Sequence, residues 1–167
     1  MKNKTILVTG AAGFIANNLV FKLLGKVNNI VCIDNFNNYY DISLKHKRHL
    51  RLVNEAKRLK LDGNSFSFHT LDLRSKLDLE KLFSKFKFDG VCHLAAQAGV
   101  RYSIEKPQSY VDNNITATLN LLEVCKDKEV QDIIFASTSS VYGLSEKELF
   151  DETLNIDSTI STYSSTK

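Results

Sequence analysis

The chain has 167 residues, 43% hydrophobic and 25% charged, with 22 basic against 19 acidic side chains and a net charge of +3. That is enough apolar material for one sizeable core, so a single domain over residues 1–167 is expected. The near-balanced charge excludes the footprint of a nucleic-acid binder, and runs such as Ile6-Leu7-Val8 fall far short of the ~20 residues that span a bilayer.

Taken in order, Thr5–Thr9 reads as a buried strand, followed by a helix over residues 14–24 with Ile15, Leu19, Leu23 and Leu24 at helical spacing. A second strand covers residues 30–33 and closes on Asp34. Residues 44–61 set Leu44, Leu52, Leu59 and Leu61 among many basic groups, which predicts a helix with a solvated outer face. On that reading the cluster Lys45, Lys47, Arg48, Arg51, Lys57, Arg58 and Lys60 is the wet side of an amphipathic helix. Strand and helix alternate again at 65–71 and 77–86, then at 90–94 and 109–125, and a fifth strand falls within 132–137. After Phe150 the chain turns polar, as a surface loop does. This order predicts an α/β fold, a three-layer Rossmann-type doubly wound parallel sheet whose strands are covered on both faces.

Met1-Lys2-Asn3-Lys4 leads into only three strongly apolar residues, so no secretory signal is expected. Cys32, Cys92 and Cys125 form no C-x-x-C pair and read as free thiols of a reducing, cytoplasmic compartment. No metal-ligand cluster is expected.

Between the first strand and helix lies Thr9-Gly10-Ala11-Ala12-Gly13-Phe14-Ile15-Ala16. Gly10 allows a tight turn, Gly13 a close approach to a pyrophosphate, and the helix N-terminus supplies its N–H groups. Asp34, 24 residues after Gly10, ends the second strand where a carboxylate accepts hydrogen bonds from an adenosine ribose and repels a 2′-phosphate. Turn and acid together point to NAD. At the far end, Tyr163-Ser164-Ser165-Thr166-Lys167 puts a lysine one helical turn from a tyrosine. Such a lysine stabilises a phenolate, giving a general base for a sugar hydroxyl. The hydroxyl cluster Ser137-Thr138-Ser139-Ser140-Val141-Tyr142-Gly143 ends the fifth strand, where open α/β sheets collect ligands.

These stretches, with Asp34 to Asp41, His93 to Ser103 and Tyr110 to Asn114, resemble the extended short-chain dehydrogenase/reductase family. Within it the likeness is to the nucleotide-sugar 4-epimerases, above all the UDP-glucuronate 4-epimerase group. The resemblance implies that Phe14 and Ile15 lie against the cofactor pyrophosphate, Asp34 and Asn35 at the adenosine ribose, and Asp72 and Leu73 beside the adenine. It implies Leu94, Ala95 and Ala96 at the middle of the cofactor and Asn113 in the same site. Thr138, Tyr163 and Lys167 would form the catalytic group, with Tyr163 and Lys167 also in the cofactor site, where Lys167 reaches the nicotinamide ribose. Ser139 and Arg101 would face the nucleotide-diphosphate sugar, Arg101 with a surface ion pair as its alternative.

Family dehydratases follow the catalytic threonine with an Asp–Glu pair; here stand Ser139-Ser140, which favours epimerisation. Ala16 stands where the family often has glycine. Relatives also continue past the tyrosine–lysine motif into a region that holds the nucleotide sugar, which this chain lacks. The resemblance implies a homodimer through the helix near 109–126 and the one starting at Tyr163. An NAD-binding chain that catalyses nothing, its Lys167 loose at the end of the helix, stays open beside the epimerase, as do a dehydratase and a reductase.

Overall fold

The computed structural model describes residues 4–144 and 149–167. Residues 1–3, part of the stretch expected to carry no signal, lie outside the described residues. Five strands, β1 (Thr5–Thr9), β2 (Asn29–Asp34), β3 (Phe66–Thr70), β4 (Gly90–His93) and β5 (Asp132–Phe135), pair in parallel in the order β3-β2-β1-β4-β5. Parallel neighbours require crossovers, and helices α1 (Phe14–Leu23), α2 (Ile42–Arg58), α3 (Lys76–Lys85) and α6 (Ala117–Asp127) belong to them. Two short helices, α4 (Val100–Glu105) and α5 (Pro107–Tyr110), come before α6, and α7 (Thr162–Ser165) comes after the sheet.

Successive strand residues face opposite ways, so the inner strands β1, β2 and β4 feed two cores. Leu7, Val31 and Val91 pack with Leu79, Leu82 and Phe83 of α3 and Leu121 and Val124 of α6. Their neighbours Val8, Ile30 and Cys32 pack with Ala16 and Val20 of α1 and Leu52 of α2. This is the expected three-layer, doubly wound arrangement. Among the described residues no helix is long and apolar enough to cross a membrane.

Four expectations need correcting. The strand β5 is not covered on both faces: it is the edge of the sheet, and Ile134 is 67% exposed. The helix expected over 109–125 is a run from Pro107 to Asp127 broken by a π-helical segment, Val111–Thr116. Helix α7 spans only four residues, so Lys167 stands two residues beyond its end. Nor is the basic cluster uniformly wet: Lys45 is buried and Arg48 half-buried, while Lys47, Arg51, Lys57, Arg58 and Lys60 are exposed.

Sheet register brings the strand ends together. Thr9 lies beside both Ile33 and His93, so the carboxyl ends of β1, β2 and β4 form one rim. After β3 the chain crosses back to β4 on the other side of β1, and the gap left between outgoing connections is where open α/β sheets bind ligands.

Candidate functional site

A cleft of about 520 Å³ opens on that rim. Gly10, Gly13, Phe14, Ile15, Asp34, Asn35, Asp72, Leu73, Leu94, Ala95, Ala96 and Asn113 all line it. Every residue expected from sequence at the cofactor, apart from Tyr163 and Lys167, therefore meets in one place.

Its floor is the turn after β1. Gly10 has φ +69°, and a Cβ there would lie 2.8 Å from the Ala95 Cα. A Cβ on Gly13 would lie 2.9 Å from the Gly10 carbonyl oxygen, which already accepts the Gly13 N–H at 2.8 Å. Helix α1 then starts with no side-chain cap and no acid in its first turn, leaving its N-terminal amides without side-chain partners and its dipole facing the turn.

The rim is fastened by a histidine. Thr9 Oγ1 accepts the N–H groups of Leu94 and Ala95, both at 3.1 Å, so its own proton goes to His93 Nδ1 at 2.7 Å. The remaining ring proton then sits on Nε2 and is donated to Thr118 Oγ1 at 2.9 Å. This wiring needs a neutral ring. Burial, aided by the charge of Lys167, pushes His93 down to about 4. The unfolded chain takes up that proton near pH 6.5, so the stabilisation is full above 6.5 and is lost as pH falls towards 4, by up to ~3 kcal/mol. Urea unfolding of wild type and His93→Gln between pH 7 and 4 should show the steeper acid loss in wild type. Parallel profiles would refute the assignment.

Asp34 is buried at the adjoining strand end. Its Oδ2 accepts the Ala12 N–H at 3.0 Å and its Oδ1 the Phe36 N–H at 2.8 Å. The buried Lys45 ammonium lies 3.6 Å from Oδ1 and donates to Asn37 Oδ1 at 2.8 Å. A carboxylate at 6% exposure needs such a partner, which explains why α2 turns one lysine inward. Asp72 is held differently. Burial pushes its carboxyl up, but hydrogen bonds from Arg74 and Asn35 outweigh this and bring it to about 2.

The hydroxyl cluster and the tyrosine–lysine motif form a second group beside the cleft. Thr138 caps a 3₁₀ turn, Ser139–Tyr142, with its Oγ1 accepting from Ser140 N at 3.3 Å. Ser137 Oγ donates to the Lys167 carbonyl at 3.3 Å, which ties the turn to the motif. Ser161 and Ser164 form a capping box that starts α7 just before Tyr163. Asn114, in the π segment, donates to Gln97 O at 3.0 Å and Thr166 Oγ1 at 2.9 Å, and accepts Gln97 N at 2.7 Å. Tyr110 sets its ring edge-on to Tyr163, with centroids 6.0 Å apart. The Lys167 ammonium rests over the Phe135 ring at 4.3 Å, and burial holds it below the usual lysine range. Arg101 stays exposed on α4, away from the cleft lining, and makes no ion pair among the described residues.

Sequence reasoning missed Lys45, Arg48, His93 and Asn114 as parts of the site. Only Asn114 carried a local signal, as half of the Asn113-Asn114 pair.

Residues 7–167 match the family model for GDP-mannose 4,6 dehydratase. UDP-glucuronate 4-epimerase 1 of Arabidopsis thaliana is 45% identical over 98% of this chain and 36% of its own length. The UDP-glucuronate 4-epimerase of Thermodesulfobacterium geofontis is 42% identical over 96% of this chain and 47% of its own. Among solved structures, UDP-glucose 4-epimerase from Bifidobacterium longum, in complex with NAD+ and UDP, superposes with a TM-score of 0.84 at 31% identity, over 98% of this chain and 46% of that one. The chain therefore spans about a third to a half of the length of these relatives.

Proposed function

Because the chain belongs to the GDP-mannose 4,6 dehydratase family, within the extended short-chain dehydrogenases/reductases, we propose that it binds NAD in the cleft and serves a nucleotide-sugar 4-epimerase of the UDP-glucuronate or UDP-glucose type. The observation that carries this reading is the cleft itself, in which twelve residues expected at a dinucleotide come together. The chemistry fits. A side chain on Gly10 or Gly13 would collide with the backbone of Ala95 or of Gly10 and so deform the turn, and the uncapped α1 N-terminus suits a pyrophosphate. Phe14 and Ile15, both largely exposed, offer an apolar surface beside it.

When bound, NAD supplies a hydride acceptor and donor. Tyr163 takes the proton of the sugar's C4 hydroxyl as that carbon is oxidised, and returns it when the 4-keto sugar is reduced on its other face. Lys167, four residues on, belongs to the same catalytic group, and the Thr138 hydroxyl serves the same sugar oxygen. Ser139 and Ser140 place no carboxylate for elimination, which favours epimerisation over dehydration. Arg101 and Ser139 would face the sugar nucleotide. Exposed Leu119 and Leu122 of α6, with Ile115 of the π-helical segment before it, support a homodimer of the full-length protein, and the buried free thiols of Cys32 and Cys125 support a cytoplasmic setting.

A second reading, an NAD-binding chain that turns over no sugar on its own, is favoured by Arg101, which was expected at the sugar nucleotide but is exposed outside the cleft lining. Titration with NAD followed by incubation with UDP-glucuronate and UDP-glucose, with products resolved by NMR, separates the two. Binding with epimer formation is the expected result. Binding without epimer supports the second reading, and no binding overturns both.

A further inference from the structure

We infer that Arg48 is a binding residue for the diphosphate of the cofactor, an inference that rests on the NAD reading of the cleft. The charges around the cleft lead to it. Among the described residues four ionised side chains line it: Asp34, Asp72, Lys45 and Arg48. Asp34 is balanced by Lys45 at 3.6 Å and Asp72 by Arg74 at 2.8 Å. Among the described residues no carboxylate pairs with Arg48. Among the described residues one cation of the cleft is left over, and the ligand that completes the balance is an anion.

The position of that cation selects the anion's place on the ligand. Arg48 Nη1 donates to the Ala12 carbonyl at 3.4 Å, inside the glycine turn, and to Tyr40 Oη at 2.9 Å. The guanidinium carbon lies 5.7 Å from the ring centres of both Phe14 and Tyr40. Phe14 is the first residue of α1, so the guanidinium stands where the helix dipole also favours negative charge. Among the described residues Nε and Nη2 make no hydrogen bond, which leaves three of the five donors of a planar fork for a phosphate oxygen. Arg48 is anchored at Nη1 and braced between two rings, so little side-chain freedom is lost on binding.

The test compares wild type with Arg48→Met, which keeps the stem that packs on the rings, and Arg48→Lys, which keeps the charge. The probes are NADH, ADP and adenosine, titrated at several salt concentrations. A charge-assisted contact predicts that Arg48→Met weakens NADH and ADP tenfold to a hundredfold, roughly, and leaves adenosine within about twofold. The salt dependence of NADH binding should flatten in the same variant, and Arg48→Lys should recover most of the loss. Equal weakening of adenosine and ADP would make Arg48 a structural support and overturn the inference. NADH affinity unchanged in Arg48→Met would overturn it too, while leaving the NAD reading intact. Failure of wild type to bind NADH would remove both.

Discussion

Alanine at position 10 is expected to abolish NAD binding and to lower the thermal midpoint by about 10 °C. Two costs add. The backbone at Gly10 has φ +69°, where an L side chain costs ~1–2 kcal/mol, and the new methyl would sit 2.8 Å from the Ala95 Cα. That neighbour is backbone held by Thr9, through the Leu94 and Ala95 amides, so it has no side chain to swing aside. Relieving the contact means moving the β4 rim, a further ~1–3 kcal/mol of the kind overpacking brings. For a domain of this size ~1 kcal/mol shifts the midpoint by ~2–4 °C. Calorimetry and NADH titration of Gly10→Ala would check both effects. A variant that melts with wild type and binds NADH normally would show that the turn yields more easily than its geometry implies.

The second large effect is on chemistry. Tyr163→Phe should lower epimerisation by ~10³-fold, since a positioned acid–base group contributes ~10²–10⁴. The ring keeps its edge-on contact with Tyr110, and α7 keeps its capping box and its bond through Thr166 to Asn114. NADH affinity and melting temperature should therefore stay close to wild type. Turnover within tenfold of wild type would sink the assignment of Tyr163 as the base. A matching loss of NADH affinity would recast it as part of the cofactor's support.

Residues that act through their immediate neighbours were legible in the sequence. Strand and helix order could be read from periodicity because the inner strands lie between two apolar layers, as Leu7 and Val8 do on opposite faces. Gly10 and Asp34 were readable because a turn and an acid at that spacing have few other uses. What escaped was set by partners distant in sequence. Lys45 looks like any lysine on a basic helix until Asp34, eleven residues earlier, is seen buried against it. His93 looks like a core residue until Thr9 and Thr118 fix its protons. The exposure of β5 was equally hidden, since Ile133-Ile134-Phe135 reads alike at the centre or the edge of a sheet.

The π-helical segment Val111–Thr116 can also be seen as a change of phase. Each residue of an ordinary helix advances ~100°, so one extra residue in a turn rotates everything after it by about that angle. Upstream of the slip, Tyr110 meets Tyr163; downstream, Thr118 meets His93 and Leu121 enters the core. Within it, consecutive asparagines divide the work: Asn113 lines the cleft, and Asn114 ties Gln97 to Thr166. A regular helix through the same two ends would be out of step at one of them. The widened turn therefore acts as a keyed joint, setting the cofactor side and the tyrosine side of the site at a fixed angle to each other.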